Sequence, residues 1–275
     1  MVLEQFFKAS WLEKKPAISL LLGFAFVFIG LITALIFFRA DISVAMLFLV
    51  TLLLVPSLMR IIGLEEKIER KFGIKHFFRN HKAILEIYLF LFLGIFAGYL
   101  VIGFGAGDNL ADISEEQMKV LDGGLTADKI VEFSLNEKLS NVFGIFSENL
   151  LVALIFFVLS LFYGAGAIFL IVWNASIFST FIVMTINNLS RGAPNAMGLL
   201  GAFSLHLVPE VFGFLVAAIA GGVVSRALIK EKFGSEGLRN VFKDATVLMI
   251  LSIVVLLLAA FLEAFVSTSL MRGLI

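Results

Sequence analysis

Two residues with titratable side chains lie inside the most apolar part of the chain. His206 and Glu210 stand four apart, a spacing that places both on one face of a helix. A charge at mid-bilayer costs at least ~2.5–3.5 kcal/mol on insertion scales, so such groups are kept for a purpose. Pro209 lies between them and cannot donate a backbone hydrogen bond, which releases the carbonyl of Leu205 and predicts a bend at this depth. Two chemistries fit the pair. One is a relay for a proton or ion; the other is a lock, in which Glu210 bonds to His206 or across to a neighbouring helix. Asn174, beside Trp173, is the other deep polar residue, and Ser176, Ser179 and Thr180 extend its polar character. Asn174, His206 and Glu210 together form a candidate intramembrane polar site. Glu148 and Asn149 open another apolar stretch, where a carboxylate would cap a helix and favour its dipole.

Other chemistry is excluded by what the chain lacks. With no cysteine there is no thiolate nucleophile, disulfide or thiolate metal site. The metalloprotease, serine-hydrolase and phosphate-loop motifs are all missing, so no enzyme activity and no cofactor is expected. His76 and His81 fall in a basic linker, where solvated charge is the default reading, and no metal site is expected. Twenty-one basic residues balance 21 acidic ones, which excludes a nucleic-acid binder of the strongly basic kind.

The elements that must position these residues are membrane helices. Of 275 residues 60 % are hydrophobic and only 15 % charged, and mean hydropathy is +1.05, far from the composition of a soluble domain. Crossing ~30 Å of hydrocarbon takes about 20 residues, and apolar runs of that length divide the chain. Residues 1–63 read as an N-terminal tail and a tight transmembrane hairpin, with spans at 16–38 and 42–63 and a proline, Pro56, near the end of the second. Residues 64–82 read as an amphipathic basic linker at the membrane surface. A core from 83 to 275 follows. It begins with a span to residue 103 that contains Gly94 and Gly98, a common helix-packing spacing.

Residues 105–147 form an outer acidic loop, whose second half places Val131, Leu135, Leu139, Val142 and Phe146 on one helical face. Four further helices are expected at 148–163, 167–187, 196–228 and 244–266. The break between the first two is assigned to Gly164–Gly166, and a re-entrant hairpin is the alternative for 148–187. In the sixth span Gly213, Ala217 and Gly221 continue the face of His206 and Glu210 as a ridge of small residues that admits a close neighbour. The fold expected is an all-α, polytopic bundle of seven transmembrane helices. Glu263 near the end of the last span is expected at the interface.

Orientation follows from the basic residues. Lys8, Lys14 and Lys15 in the tail, seven Lys or Arg from Arg60 to Lys82, and five from Arg226 to Lys243 make 15 of 21 that share one side. That side is expected to be the cytoplasm, with the N-terminus inside. The 105–147 loop on the opposite side has eight acidic residues against three lysines, a net of −5.

The C-terminal two-thirds then resembles a known family. Ser147-Glu-Asn-Leu-Leu-Val-Ala-Leu, the Gly164-Ala-Gly break, Asn174, and His206-Leu-Val-Pro-Glu210 followed by small residues to Gly221-Gly222 resemble the stage II sporulation protein M family of integral membrane proteins. The resemblance covers about residues 83–265 and implies a lone span, a long outer loop and four closely spaced spans, with the first hairpin as an addition. The family pattern has glycine after the span-five Asn and after the span-six His; here Ala175 and Leu207 stand there. It implies a non-enzymatic membrane scaffold or core subunit of a complex, in the cell membrane, contacting lipid and other membrane or envelope proteins and free to self-associate. The alternative is a transporter or permease for a proton, ion or lipid through the His206, Glu210 and Asn174 site, with or without a partner ATPase.

Overall fold

The computed structural model describes residues 12, 15–72, 74–75, 77–122, 135–163, 166–189 and 193–274. His76, Arg191, part of the Gly164–Gly166 break and the middle of the acidic loop lie outside the described residues.

The described residues are helical, without strands. Helices α1 (Ile18–Phe37), α2 (Ile42–Phe72) and α3 (Phe77–Ala106) come first; a 3₁₀ turn (Gly107–Asn109) and two short helices, α4 (Leu110–Ile113) and α5 (Glu115–Asp122), follow. Four long helices close the chain: α6 (Leu135–Tyr163), α7 (Gly166–Leu189), α8 (Ala193–Lys230) and α9 (Glu236–Phe261), the last running through a π-helical turn (Leu262–Ser267) into α10 (Thr268–Leu274). Seven of these helical segments are long and apolar enough to cross a membrane. The segments Ser140–Tyr163 and Ile168–Asn187 are two of them, so two helices of spanning length lie there once the first is extended back to Ser140.

The helices outrun their apolar stretches. α8 has 38 residues, about 57 Å at 1.5 Å per residue, against ~30 Å of hydrocarbon. The charged segments that sequence divides off as linkers are therefore largely helix ends. Residues 64–72 continue α2, residues 77–82 begin α3, and 229–243 contains the end of α8, a turn at 231–235 and the start of α9. The physical reason is that a charge past the apolar boundary ends membrane burial without interrupting the backbone ladder. Pro56 and Pro209 both lie within continuous helices. The start of α9 is fixed by Ser235, whose hydroxyl accepts from the Leu238 amide at 3.1 Å, after Gly234 turns the chain at φ +84°.

α8 is the central helix. It packs most extensively on α9 and α6, and also on α2, while α3 is held between α1 and α7. Glycines set the two closest crossings. A Cβ on Gly94 would fall 2.0 Å from the Leu20 carbonyl oxygen of α1, and one on Gly221 would fall 2.3 Å from the Phe157 carbonyl of α6. Polar side chains tie helices to each other's backbone. Ser19 of α1 donates to the Ile87 carbonyl of α3 at 2.9 Å, Ser179 of α7 to Phe96 of α3 at 2.9 Å, and Ser252 of α9 to Gly213 of α8 at 2.8 Å.

Part of the acidic loop is docked as well. In α5, Gln117 accepts from Ser43 of α2 at 2.8 Å and donates to Ser176 of α7 at 3.0 Å. On its exposed face Lys119 pairs with Glu115 and Glu116, both at 2.8 Å, and these two carboxylates raise the affinity of its amine for a proton. Val142 and Phe146 pack on Ala260 and Ala264 of the last helix. Residues 131 and 135–139 of that apolar face lie where no side chain is described.

Candidate functional site

Two clusters of buried titratable groups stand out. The first is built on α8. His206 and Glu210 are both buried, and Glu263 from the π-helical turn after α9 joins them, one ligand atom from each lying within 4.8 Å of the others. The extra residue per turn in a π-helix is what sets Glu263 off the regular α face there. Glu263 is half-buried, on the pair of helices α8 and α9 that pack most extensively on each other. The Phe203 ring lies 6.1 Å from the His206 ring, and Nδ1 of His206 has no hydrogen-bond partner among the described residues.

Asn174 does not complete this group. Its side-chain amide donates at 2.8 Å to Leu170 of its own helix, and α7 packs more closely on α3 than on α8. Glu148 does not open a helix. α6 starts at Leu135, so Glu148 is an exposed residue well inside it and Asn149 is half-buried. The capping role fails because the apolar face of 142–146 lets the helix begin in the loop. Glu148 instead stands within electrostatic range of Glu263.

The small-residue ridge serves two neighbours. Gly213 faces Leu256 of α9, Gly221 faces α6, and Ala217 between them is fully buried. Gly94 and Gly98 face Leu20 and Val27 of α1. A cavity of about 40 Å³ lies between α3 and α8, lined by Leu89, Phe92, Phe96, Ser204, Leu207 and Val211 among others; none of His206, Glu210 or Glu263 lines it.

The second cluster lies where the basic segments gather. Glu65, Glu66 and Glu69 from the end of α2, His81 from the start of α3 and Asp244 from α9 are each at most 4 % exposed. His81 is the hub. Its Nδ1 is in short contact with Glu65 and stands 3.7 Å from Glu69, while Nε2 stands 2.7 Å from Asp244. Cations border this core. Lys230 pairs with Glu66 at 2.7 Å, and Arg70 spans Glu66 at 3.9 Å and Glu231 at 2.9 Å. Arg226 lies over Gly63, where a Cβ would meet its guanidinium at 2.7 Å, and donates to the Met59 carbonyl of α2. At Glu231, the hydrogen bond from Arg70, helped by Ser235, holds the carboxyl below its ordinary range.

Sequence reading assigns His81 to a solvated linker and so misses this cluster. One signal was available. Glu65 and Glu69 stand four apart and Glu66 lies beside them in a segment otherwise rich in lysine and arginine, and on a continuous α2 they follow the buried face of Leu58, Ile61 and Ile62.

Comparison with known proteins agrees with the architecture. No curated protein and no solved structure matches the chain. The family described as Stage II sporulation protein M matches residues 87–268, from α3 to the last helix. That interval contains the lone helix, the outer segment and the four closing helices, and it leaves the α1–α2 hairpin outside; the chain belongs to the Stage II sporulation protein M family of membrane proteins.

Proposed function

We propose that this protein is a non-enzymatic scaffold, or core subunit, of a complex in the cell membrane. Its N-terminus lies in the cytoplasm, and its acidic outer loop and basic inner helix ends serve as docking surfaces for other membrane or envelope proteins. One observation carries the reading. α8, which holds His206 and Glu210, is packed at backbone-contact distance against α6 and through Gly213 against α9, and the cavity at its α3 side leaves the pair out. Its polar groups thus have a use as interhelical glue. Membrane exposure fits as well, since α6 and α9 turn Leu151, Leu154, Phe162, Ile250, Val254 and Leu258 outward.

A second reading, transport, is favoured by the convergence of Glu263 on His206 and Glu210, with exposed Glu148 in electrostatic range. An intramembrane acid beside a histidine is the usual composition of a proton or cation path. Reconstitution in liposomes separates the two. Proton and cation flux through wild-type vesicles is expected to equal that of protein-free vesicles. A flux that Glu210→Gln abolishes overturns the scaffold reading in favour of transport.

A further inference from the structure

The carboxylates around His81 are not balanced by the cations beside them. Lys230 and Arg70 are engaged with Glu66 and Glu231, and Arg226 with the Met59 carbonyl. Inside that border both carboxylate oxygens of Glu69, at 1 % exposure, have no hydrogen-bond partner among the described residues. A buried carboxylate without a hydrogen bond or counter-charge costs several kcal/mol, so such groups are paired, protonated or bound to metal.

Geometry chooses among these. Nδ1 of His81 and one oxygen each from Glu65 and Glu69 lie within 4.8 Å of one another, from two helices, with Glu65 and Glu69 on successive turns of α2. Ligand atoms about 2.1 Å from a common ion stand about 3.4 Å apart in a tetrahedral site. The 3.7 Å between Nδ1 and Glu69 is close to that spacing, whereas Glu65, in direct short contact with Nδ1, must draw back from it to share an ion. On the other side of the ring Asp244 stands 2.7 Å from Nε2. A carboxylate behind the distal nitrogen of a ligating histidine fixes the tautomer that offers the near nitrogen to metal.

We propose that Glu65, Glu69 and His81 Nδ1 bind one first-row divalent transition-metal ion of the Zn²⁺ or Mn²⁺ class, with Asp244 as the positioning residue that orients the imidazole. One imidazole with two carboxylates suits these ions, and the nitrogen ligand sets the site apart from the all-oxygen sites of Ca²⁺ and Mg²⁺. The ion supplies the positive charge that Glu69 lacks. It also fastens α2 to α3, and through Asp244 to α9, joining the N-terminal hairpin to the last helix of the family core. The site is independent of the scaffold reading and stands or falls without it.

The choice between the two clusters rests on the same observations. At the α8 cluster Nδ1 of His206 is the one ligand-type atom that is buried without a hydrogen bond among the described residues, and Glu263 is only half-buried. At the α2 cluster the orphaned atoms include both carboxylate oxygens of the fully buried Glu69.

The test uses the full-length protein in detergent, stripped with a chelator and dialysed against Zn²⁺ or Mn²⁺, with bound metal measured by elemental analysis. One equivalent is expected, unaffected by excess Mg²⁺ or Ca²⁺. Co²⁺ as a probe should give visible ligand-field bands that Zn²⁺ removes. Glu69→Gln and His81→Gln should lose at least tenfold in affinity. Asp244→Asn should lose about 10- to 100-fold while still binding one equivalent at saturation. Glu210→Gln and Glu263→Gln should bind as wild type. The proposal is overturned if the stripped wild-type protein takes up no saturable ion, a result that needs no variant to fold. It is equally overturned if folded Glu69→Gln retains full affinity, or if the ion is lost from Glu263→Gln and not from His81→Gln.

Discussion

The two buried clusters use the same ingredients, one histidine and several carboxylates, in different surroundings. The group on α8 sits among Phe203, glycines and serines, and its members come from helices packed along their length. The group around His81 sits at helix ends, bordered by Arg70, Arg226 and Lys230. Depth accounts for the difference. Within hydrocarbon a cation is as costly as the acid it would neutralise, so few acids are admitted and packing holds them. One turn beyond the apolar run, long basic side chains can reach inward with their stems on apolar surface and their charges on the carboxylates. The His81 cluster should therefore behave electrostatically and the α8 cluster as a packing interface.

Removing the hub tests this most severely. His81→Ala leaves Glu65, Glu69 and Asp244 facing one another without the imidazole between them. Breaking a buried ion group by removing one partner costs about 3–5 kcal/mol, and thermal unfolding in detergent should show the largest loss of any substitution considered. Gly221→Ala comes next. Its Cβ would fall 2.3 Å from a backbone oxygen, which cannot rotate away, so α6 must move from α8 at about 1–3 kcal/mol. Glu210→Gln keeps the shape of the side chain and should cost only about 1 kcal/mol, as befits an interhelical polar contact. If Glu210→Gln destabilises as much as His81→Ala, the contrast between the clusters is wrong.

How much of this could be read from sequence depends on what kind of signal carried each part. The seven spans were legible because hydrophobic length is a local property, and Gly94, Gly98, Gly213 and Gly221 were legible because small residues at fourfold spacing mark close crossings. His206 and Glu210 stood out because each interrupts an apolar run. That Glu263 joins His206 and Glu210 was not legible, since nothing local announces the π-helical turn that carries it. His81 was hidden for a different reason. In a segment with many charges another histidine raises no contrast, and its burial depends on three helix ends that meet only in the fold, with Glu65 and Asp244 far apart in the sequence. The acidic loop was read as a docking surface from its net charge, whereas Gln117, a single neutral residue in it, makes the bonds to α2 and α7.

The outer layer of the His81 cluster supplies the smallest effect and the clearest sign. Arg70 and Glu231 meet at 2.9 Å on the surface, and Arg70 holds the Glu231 carboxyl below its ordinary range. A group whose folded pKa is depressed adds stability above its unfolded pKa, about 4.3 for glutamate, and loses it as pH falls through the folded value. Arg70→Ala should therefore lower Tm slightly near neutral pH, with the difference from wild type vanishing as pH drops below about 4. Raising salt should shrink the difference between the two proteins, because exposed pairs are screened. A difference that persists undiminished in high salt would mean that Arg70 acts on the buried carboxylate of Glu66 as well, 3.9 Å from its Nε, and that the electrostatic core extends one layer further outward than the exposed pair implies.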